Sequence, residues 1–264
     1  MVPKGFLIDL DGTTYIGDTL IGGAKEFVQW IVDRKKPYRF LTNNSSTSSA
    51  SYVSKLRRLG IPCNDDSIFS STKAAIRYLT ARGITSVFSL GTPDFEQELR
   101  EAGIDISDSA RCVLVGFDKT LTYDKVNHAY QLLRRDAQFI ATHPDVLCPV
   151  EGGYILDCGS IVAMLERASG RKPIVLGKPN LELAQLALQE IRCEPKDAIM
   201  IGDRIYTDMV MANNAGMQSA LVLSGETQRT AQIPSYVNYV VGNIGDLLKL
   251  WNGNHDSVRS PIQA

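Results

Sequence analysis

The sequence predicts an α/β protein: a parallel-sheet core with a smaller α/β domain inserted into it. Short apolar runs alternate with amphipathic helical stretches, the pattern of strand–helix–strand units. The first run, Phe6-Leu7-Ile8, ends in Asp9-Leu10-Asp11-Gly12, and a later one, Ala198-Ile199-Met200-Ile201, ends in Gly202-Asp203. Between them, from about Ile84, the alternation restarts without a second acidic tip, which marks a separate block.

The elements follow in order. Asp9 and Asp11 stand two apart on an extended chain and point the same way. Gly12 allows a sharp turn after them. The plainer reading of this stretch is a strand that ends in an Asp-Gly turn. Ala24, Phe27, Val28, Ile31 and Val32 make one apolar helical stripe, and Pro37 stops that helix. Tyr38–Thr42 is a second strand, followed by Thr42-Asn43-Asn44-Ser45-Ser46-Thr47. Such hydroxyls and amides cap a helix, and the same groups at a helix N-terminus cradle an anion. A helix is expected near 48–59, a strand near 67–70 and a helix near 72–82.

The inserted block supplies strands at 86–90, 111–117 and 138–142 and helices at 93–102, from Thr122 onward and at 160–169. Residues 143–159 read as irregular, with Pro144, Pro149 and Gly152-Gly153. The core resumes with Ile174-Val175-Leu176-Gly177-Lys178-Pro179-Asn180 and a helix carrying Ala184, Ala187, Leu188 and Ile191 in phase. After Asp203 a helix is expected over 207–215, with Asp208 in its first turn. Strands near 219–223 and 236–241 close the chain. The domains are therefore placed at 1–81 with 174–264, a Rossmann-like core, and at 82–173, the insert.

Composition narrows the function. The 264 residues are 44% hydrophobic and 22% charged, with a formal net charge of −1. Neither a nucleic acid polymer nor an anionic membrane is an expected partner. No apolar run reaches the ~18 residues of a membrane span, and Met1–Gly5 shows no signal-peptide pattern. Five scattered cysteines, Cys63, Cys112, Cys148, Cys158 and Cys193, suit a reducing compartment and offer no zinc spacing. The cytoplasm is the expected location.

If the core strands form one parallel sheet, Asp9, Asp11, Thr42, Lys178 and Asp203 all fall at strand carboxyl ends, where open α/β sheets bind ligands. Carboxylates around one point repel unless a cation sits among them. Oxygen ligands without His or Cys suggest a hard ion, most simply Mg²⁺. Lys178 and the Thr42–Asn44 donors then offset phosphate charge, which suits phosphoryl transfer.

These motifs carry a resemblance. Asp9-Leu10-Asp11-Gly12-Thr13, Thr42-Asn43-Asn44, Gly177-Lys178-Pro179 and Gly202-Asp203-Arg204 with Thr207-Asp208 stand in the order of the haloacid dehalogenase (HAD) superfamily. Leu41–Ser46, Val115-Gly116-Phe117-Asp118 with Thr122-Tyr123, and Gly177–Asn180 resemble its NagD-like, p-nitrophenylphosphatase-like branch. The resemblance spans nearly the whole chain. It implies a Mg²⁺-dependent phosphatase of small phosphomonoesters, such as nucleotide or sugar phosphates. Asp9 would be the nucleophile that forms an aspartyl-phosphate, and Asp11 the acid and base. Asp9, the Asp11 carbonyl and Asp203 would hold Mg²⁺. Thr42, Asn43 and Asn44 would bind phosphate and Lys178 would neutralise its charge. Asp208 would orient Lys178 or a metal-bound water; an ordinary helix N-terminal Asp explains it equally well.

The insert resembles the α/β cap of this branch, which closes over the site and contacts the leaving group. His143, Asp145, Tyr154 and Ser160 are its candidate contacts, although the plainer reading of His143 is a solvated loop residue. The chain departs from the branch pattern at His143, where Asn is expected, and at Asp157-Cys158-Gly159-Ser160, where a Pro-Gly-rich turn is more usual. Caps of this branch can form dimer contacts, so a homo-oligomer stays open.

Two alternatives share these residues: a phosphotransferase or mutase, and a non-catalytic Mg²⁺ and phosphate-binding regulator of the receiver type. Asp11 argues against the second, because a poised acid/base shortens the life of a phosphoryl-aspartate. No G-x-x-x-x-G-K-[ST], G-x-G-x-x-G or G-x-S-x-G motif supports a nucleotide-binding module or a serine hydrolase.

Overall fold

The computed structural model describes residues 2–150 and 152–253. Of the ranges expected above, Met1, Glu151 and residues 254–264 lie outside the described residues. The chain divides into two compact units, one of residues 1–42, 52–69 and 179–264, the other of 43–51 and 70–178.

The first unit is built on a six-stranded sheet. Its spatial order is Tyr239–Val241, Gln218–Val222, Ala198–Gly202, Gly5–Asp9, Tyr38–Thr42 and Ile68–Ser70. The four pairings among the first five of these strands are all parallel. Phe6, Leu7, Ile8, Ile199, Met200 and Ile201 are fully buried. A parallel sheet covered on both faces requires such unbroken apolar runs. The stripe of helix Ala24–Asp33 packs Ala24, Phe27, Val28 and Ile31 into the same core as Phe6, Ile8 and Phe40. Trp30 and Trp251 stack there with centroids 5.8 Å apart. Trp251 ends a helix, Ile244–Trp251, that the sequence reading did not anticipate.

The second unit carries a five-stranded sheet in the order Ile174–Val175, Gln138–Ala141, Cys112–Val115, Ser86–Leu90 and Asp105–Ile106, with every pairing parallel. Thr92 and Thr122 cap its helices Pro93–Glu101 and Tyr123–Arg134, each accepting a main-chain N–H three residues on. The expected α/β architecture, a parallel core with a smaller α/β sheet inserted in its sequence, is the one observed.

Two local expectations are corrected. Within the stretch read as irregular, Leu147–Val150 pairs antiparallel with Gly153–Leu156. Pro149 and the glycines hide this hairpin in the sequence, as does its exposure on both faces, which leaves no apolar alternation. The helix expected over 207–215 begins instead as a π-helical turn, Ile205–Met209, and becomes α-helical at Val210–Ala215. All five cysteines are free thiols, and among the described residues no helix is long and apolar enough to cross a membrane.

Candidate active site

Within the first unit, Ala198–Gly202, Gly5–Asp9 and Tyr38–Thr42 are adjacent and parallel, so their carboxyl ends share one edge. Asp9 and Thr42 are the last residues of their strands, and Asp203 follows the third. The strands on either side of Gly5–Asp9 come from opposite directions in the chain order, the switch point at which such sheets open a crevice.

Three carboxylates meet at this edge. Asp9, Asp203 and Asp208 are buried, and one oxygen from each lies within 4.8 Å of the others. Asp203 Oδ2 accepts the Glu226 N–H at 2.6 Å. Asp208 Oδ2 accepts the Arg204 N–H at 3.1 Å, while the Met209 N–H donates to the Arg204 carbonyl at 3.3 Å and closes the π-helical turn. Helix widening of this kind is frequent at functional sites. Asp208 is thus no ordinary solvated residue of a helix N-terminus: it is fully buried and belongs to the acidic group. Gly202 makes room for it, since a Cβ there would collide with the Asp208 carboxylate.

Asp11 is half-buried beside the group. Gly12, at φ 88°, turns the chain after it, and the Gly12 N–H donates to the Tyr15 carbonyl at 2.8 Å. Burial, and then the negative charge of Asp11, pushes the Tyr15 phenol well above its ordinary pKa. The loop Ser224–Thr227 completes this side. Ser224 Oγ donates to the Gly12 carbonyl at 2.8 Å, and Glu226 pairs with Arg204 at 2.8 Å. Sequence reasoning missed this loop; its only signal is Ser224-Gly225-Glu226-Thr227 directly after a buried strand.

The second unit holds the remaining expected residues. Asn43 and Lys178, 135 positions apart, are bound by two hydrogen bonds: the Lys178 N–H donates to Asn43 Oδ1 at 2.8 Å, and Asn43 Nδ2 donates to the Lys178 carbonyl at 3.0 Å. The other Nδ2 hydrogen goes to Asp145 Oδ2 at 3.2 Å. A Cβ at Gly177 would strike the Thr142 carbonyl, Asn43 Oδ1 and His143 Cβ, so only glycine lets the main chain reach this position. Lys178 is 3% exposed, against the expectation for an ordinary surface lysine. Asn44 Oδ1 accepts from the Ser46 N–H at 2.9 Å and from Ser46 Oγ at 2.8 Å, which shapes the loop after Thr42. His143 is fully buried, which corrects its reading as a solvated loop residue; Asp145 is buried as well, while Tyr154 is exposed on the hairpin. Ser160 Oγ donates to the Val146 carbonyl at 2.7 Å.

Residues 6–105 match a family model described as haloacid dehalogenase-like hydrolase, and 175–247 match one described as HAD-hydrolase-like. The crystal structure of a 4-nitrophenylphosphatase from Thermotoga maritima superposes with a TM-score of 0.89 at 37% identity, covering 94% of this chain and 97% of that one. The 5'-nucleotidase YutF of Bacillus subtilis is 34% identical over 86% of this chain and 89% of its own length. An acid sugar phosphatase of Staphylococcus haemolyticus is 32% identical, over 85% and 86% respectively.

Proposed function

We propose residue roles and a substrate class for this chain, which belongs to the haloacid dehalogenase-like hydrolases, in the family of NagD and the p-nitrophenylphosphatases, and is a phosphatase acting on phosphomonoesters. The observation that carries the reading is the buried group of Asp9, Asp203 and Asp208 at the carboxyl edge of the sheet. Its donors are all carboxylate oxygens, which fits a hard divalent cation, most simply Mg²⁺. Asp9, the Asp11 carbonyl and Asp203 would hold the ion, with Asp208 orienting the group. When bound, it would neutralise charge between Asp9 and the phosphoryl oxygens.

Asp9 attacks phosphorus and the P–O bond to the leaving group breaks, which yields an aspartyl-phosphate. Asp11 gives its proton to the leaving oxygen, then takes one from the water that hydrolyses the intermediate. Thr42 Oγ1 and the main-chain N–H groups of Asn43 and Asn44 bind the phosphoryl oxygens. The main-chain assignment for Asn43 follows because both hydrogens of its side-chain amide go to Lys178 and Asp145. Lys178 would supply positive charge to the phosphoryl group. Residues 1–81 and 174–264 carry this chemistry, and 82–173 form the cap that selects the leaving group. The substrates are small phosphomonoesters, with nucleotides and sugar phosphates first among them.

Phosphate release from nucleoside monophosphates, sugar phosphates and p-nitrophenyl phosphate, with and without Mg²⁺, tests the reading. Release that needs the cation supports it; equal release after chelation defeats the role of the acidic group. Lys178→Met is expected to lower kcat/KM by about 10²–10³-fold, the scale of losing one aligned charge or donor in a water-poor site. Unchanged kcat/KM would remove Lys178 from the reaction. Gly202→Ala, which pushes the Asp208 carboxylate aside, is expected to weaken Mg²⁺ binding by about 10–100-fold in a calorimetric titration. Wild-type affinity would show that Asp208 does not shape the ion site.

A further inference from the structure

His143 and Asp157 meet in the folded second unit. His143 Nε2 lies 3.4 Å from Asp157 Oδ1, and its Nδ1 lies 3.7 Å from Asp145 Oδ2. The imidazole is fully buried, and neither ring nitrogen makes a hydrogen bond. A buried polar ring is costly unless its surroundings compensate it, and here a carboxylate faces each nitrogen. Each ring nitrogen thus faces a different carboxylate, so the imidazole sits between the two; one ring nitrogen and one oxygen from each carboxylate also lie within 4.8 Å of one another.

Both carboxylates are anchored. Asp157 Oδ1 accepts the Cys158 N–H at 2.6 Å as the cap of helix Cys158–Ser169. Asp145 Oδ2 accepts from Asn43 Nδ2 at 3.2 Å, and Asn43 clamps both main-chain polar groups of Lys178. Gly177 brings that main chain against Asn43 Oδ1 and His143 Cβ. A continuous line of contacts thus runs from the start of helix Cys158–Ser169 through Asp157, His143, Asp145 and Asn43 to Lys178.

We propose that His143 is a positioning residue: packed between Asp157 and Asp145, it sets the carboxylate that orients Asn43 and so fixes the main chain that carries Lys178. The inference rests on the assignment of Lys178 to the reaction. Because His143 acts through Asn43, it governs kcat with little effect on KM, and its loss overlaps with the loss of the Asn43 side chain.

Steady-state kinetics of the intact protein with Mg²⁺, on the phosphomonoester turned over fastest, decide the matter. The variants are His143→Ala, Asn43→Ala, their double variant and Asp157→Asn, each assayed below its own Tm. Asp157→Asn keeps an oxygen to cap the helix and removes the charge that faces His143. His143→Ala is expected to lower kcat about 10–100-fold, the usual scale for a group that orients a site residue, with KM within about twofold. The double variant is expected to be no slower than Asn43→Ala, because contacts in one network do not add. Asp157→Asn is expected to lower kcat in the same sense. Wild-type kcat in His143→Ala, or losses that multiply in the double variant, overturns the proposal. If His143→Ala does not fold, wild-type kcat in Asp157→Asn overturns it. Lys178→Met separates the two levels. An inactive Lys178→Met beside a normal His143→Ala defeats only the positioning role, whereas a normal Lys178→Met defeats the reading beneath it.

Discussion

Asp9→Asn is expected to abolish turnover, lowering kcat by at least about 10³-fold, as loss of the proposed covalent nucleophile would. The substitution keeps the side chain's size at the end of strand Gly5–Asp9, whose Phe6, Leu7 and Ile8 are buried independently of the charge. The fold is therefore expected to stay intact. Its stability without cation is expected to rise, because one of three carboxylates within 4.8 Å of one another is neutralised. Each such pair repels by on the order of 3 kcal/mol at an effective dielectric constant of about 20. Kinetics and thermal unfolding in a chelator check the two halves together. Residual activity near wild type would defeat the covalent mechanism. A lowered Tm in the chelator would show that the three charges do not oppose one another.

Removal of divalent cation is the second large effect. A chelator is expected to silence the enzyme reversibly, and added Mg²⁺ to restore both activity and Tm. A ligand that binds only the folded state stabilises it by RT ln(1 + [L]/Kd), about 2.7 kcal/mol at a hundredfold excess over Kd. The same titration on Asp203→Asn is expected to show little rise in Tm, since one of the anionic oxygens is lost. A full Mg²⁺-dependent Tm rise in Asp203→Asn, or full activity in the chelator, would remove the acidic group from the reaction.

Much of the site was legible before the fold, for a local reason. A central parallel strand is buried on both faces, so Phe6–Ile8 and Ala198–Ile201 announce themselves as apolar runs. The residue that ends such a strand lies at the ligand-binding edge, which placed Asp9, Thr42 and Asp203 from spacing alone. Lys178 was legible only as a member of a pattern. By residue type it reads as solvated, yet it is buried, with its main chain held by Asn43, 135 positions away.

Asp208 shows the limit differently. Its position looks like the first turn of an ordinary helix, and only the π-helical turn, with the Arg204 N–H held by the Asp208 carboxylate, places it among the buried acids. Hairpin Leu147–Val150 with Gly153–Leu156 left no periodic trace, because neither face is buried.

The sequence by itself determined the α/β class, the inserted second sheet and the carboxylates at the strand ends, because short-range apolar periodicity and strand termini encode them. Only the tertiary structure decided that Asp208 joins Asp9 and Asp203, that the side chain of Asn43 holds the main chain of Lys178, and that His143 lies buried between Asp145 and Asp157. Those pairings depend on main-chain hydrogen bonds and close glycine approaches between distant segments, which no local window of residues contains.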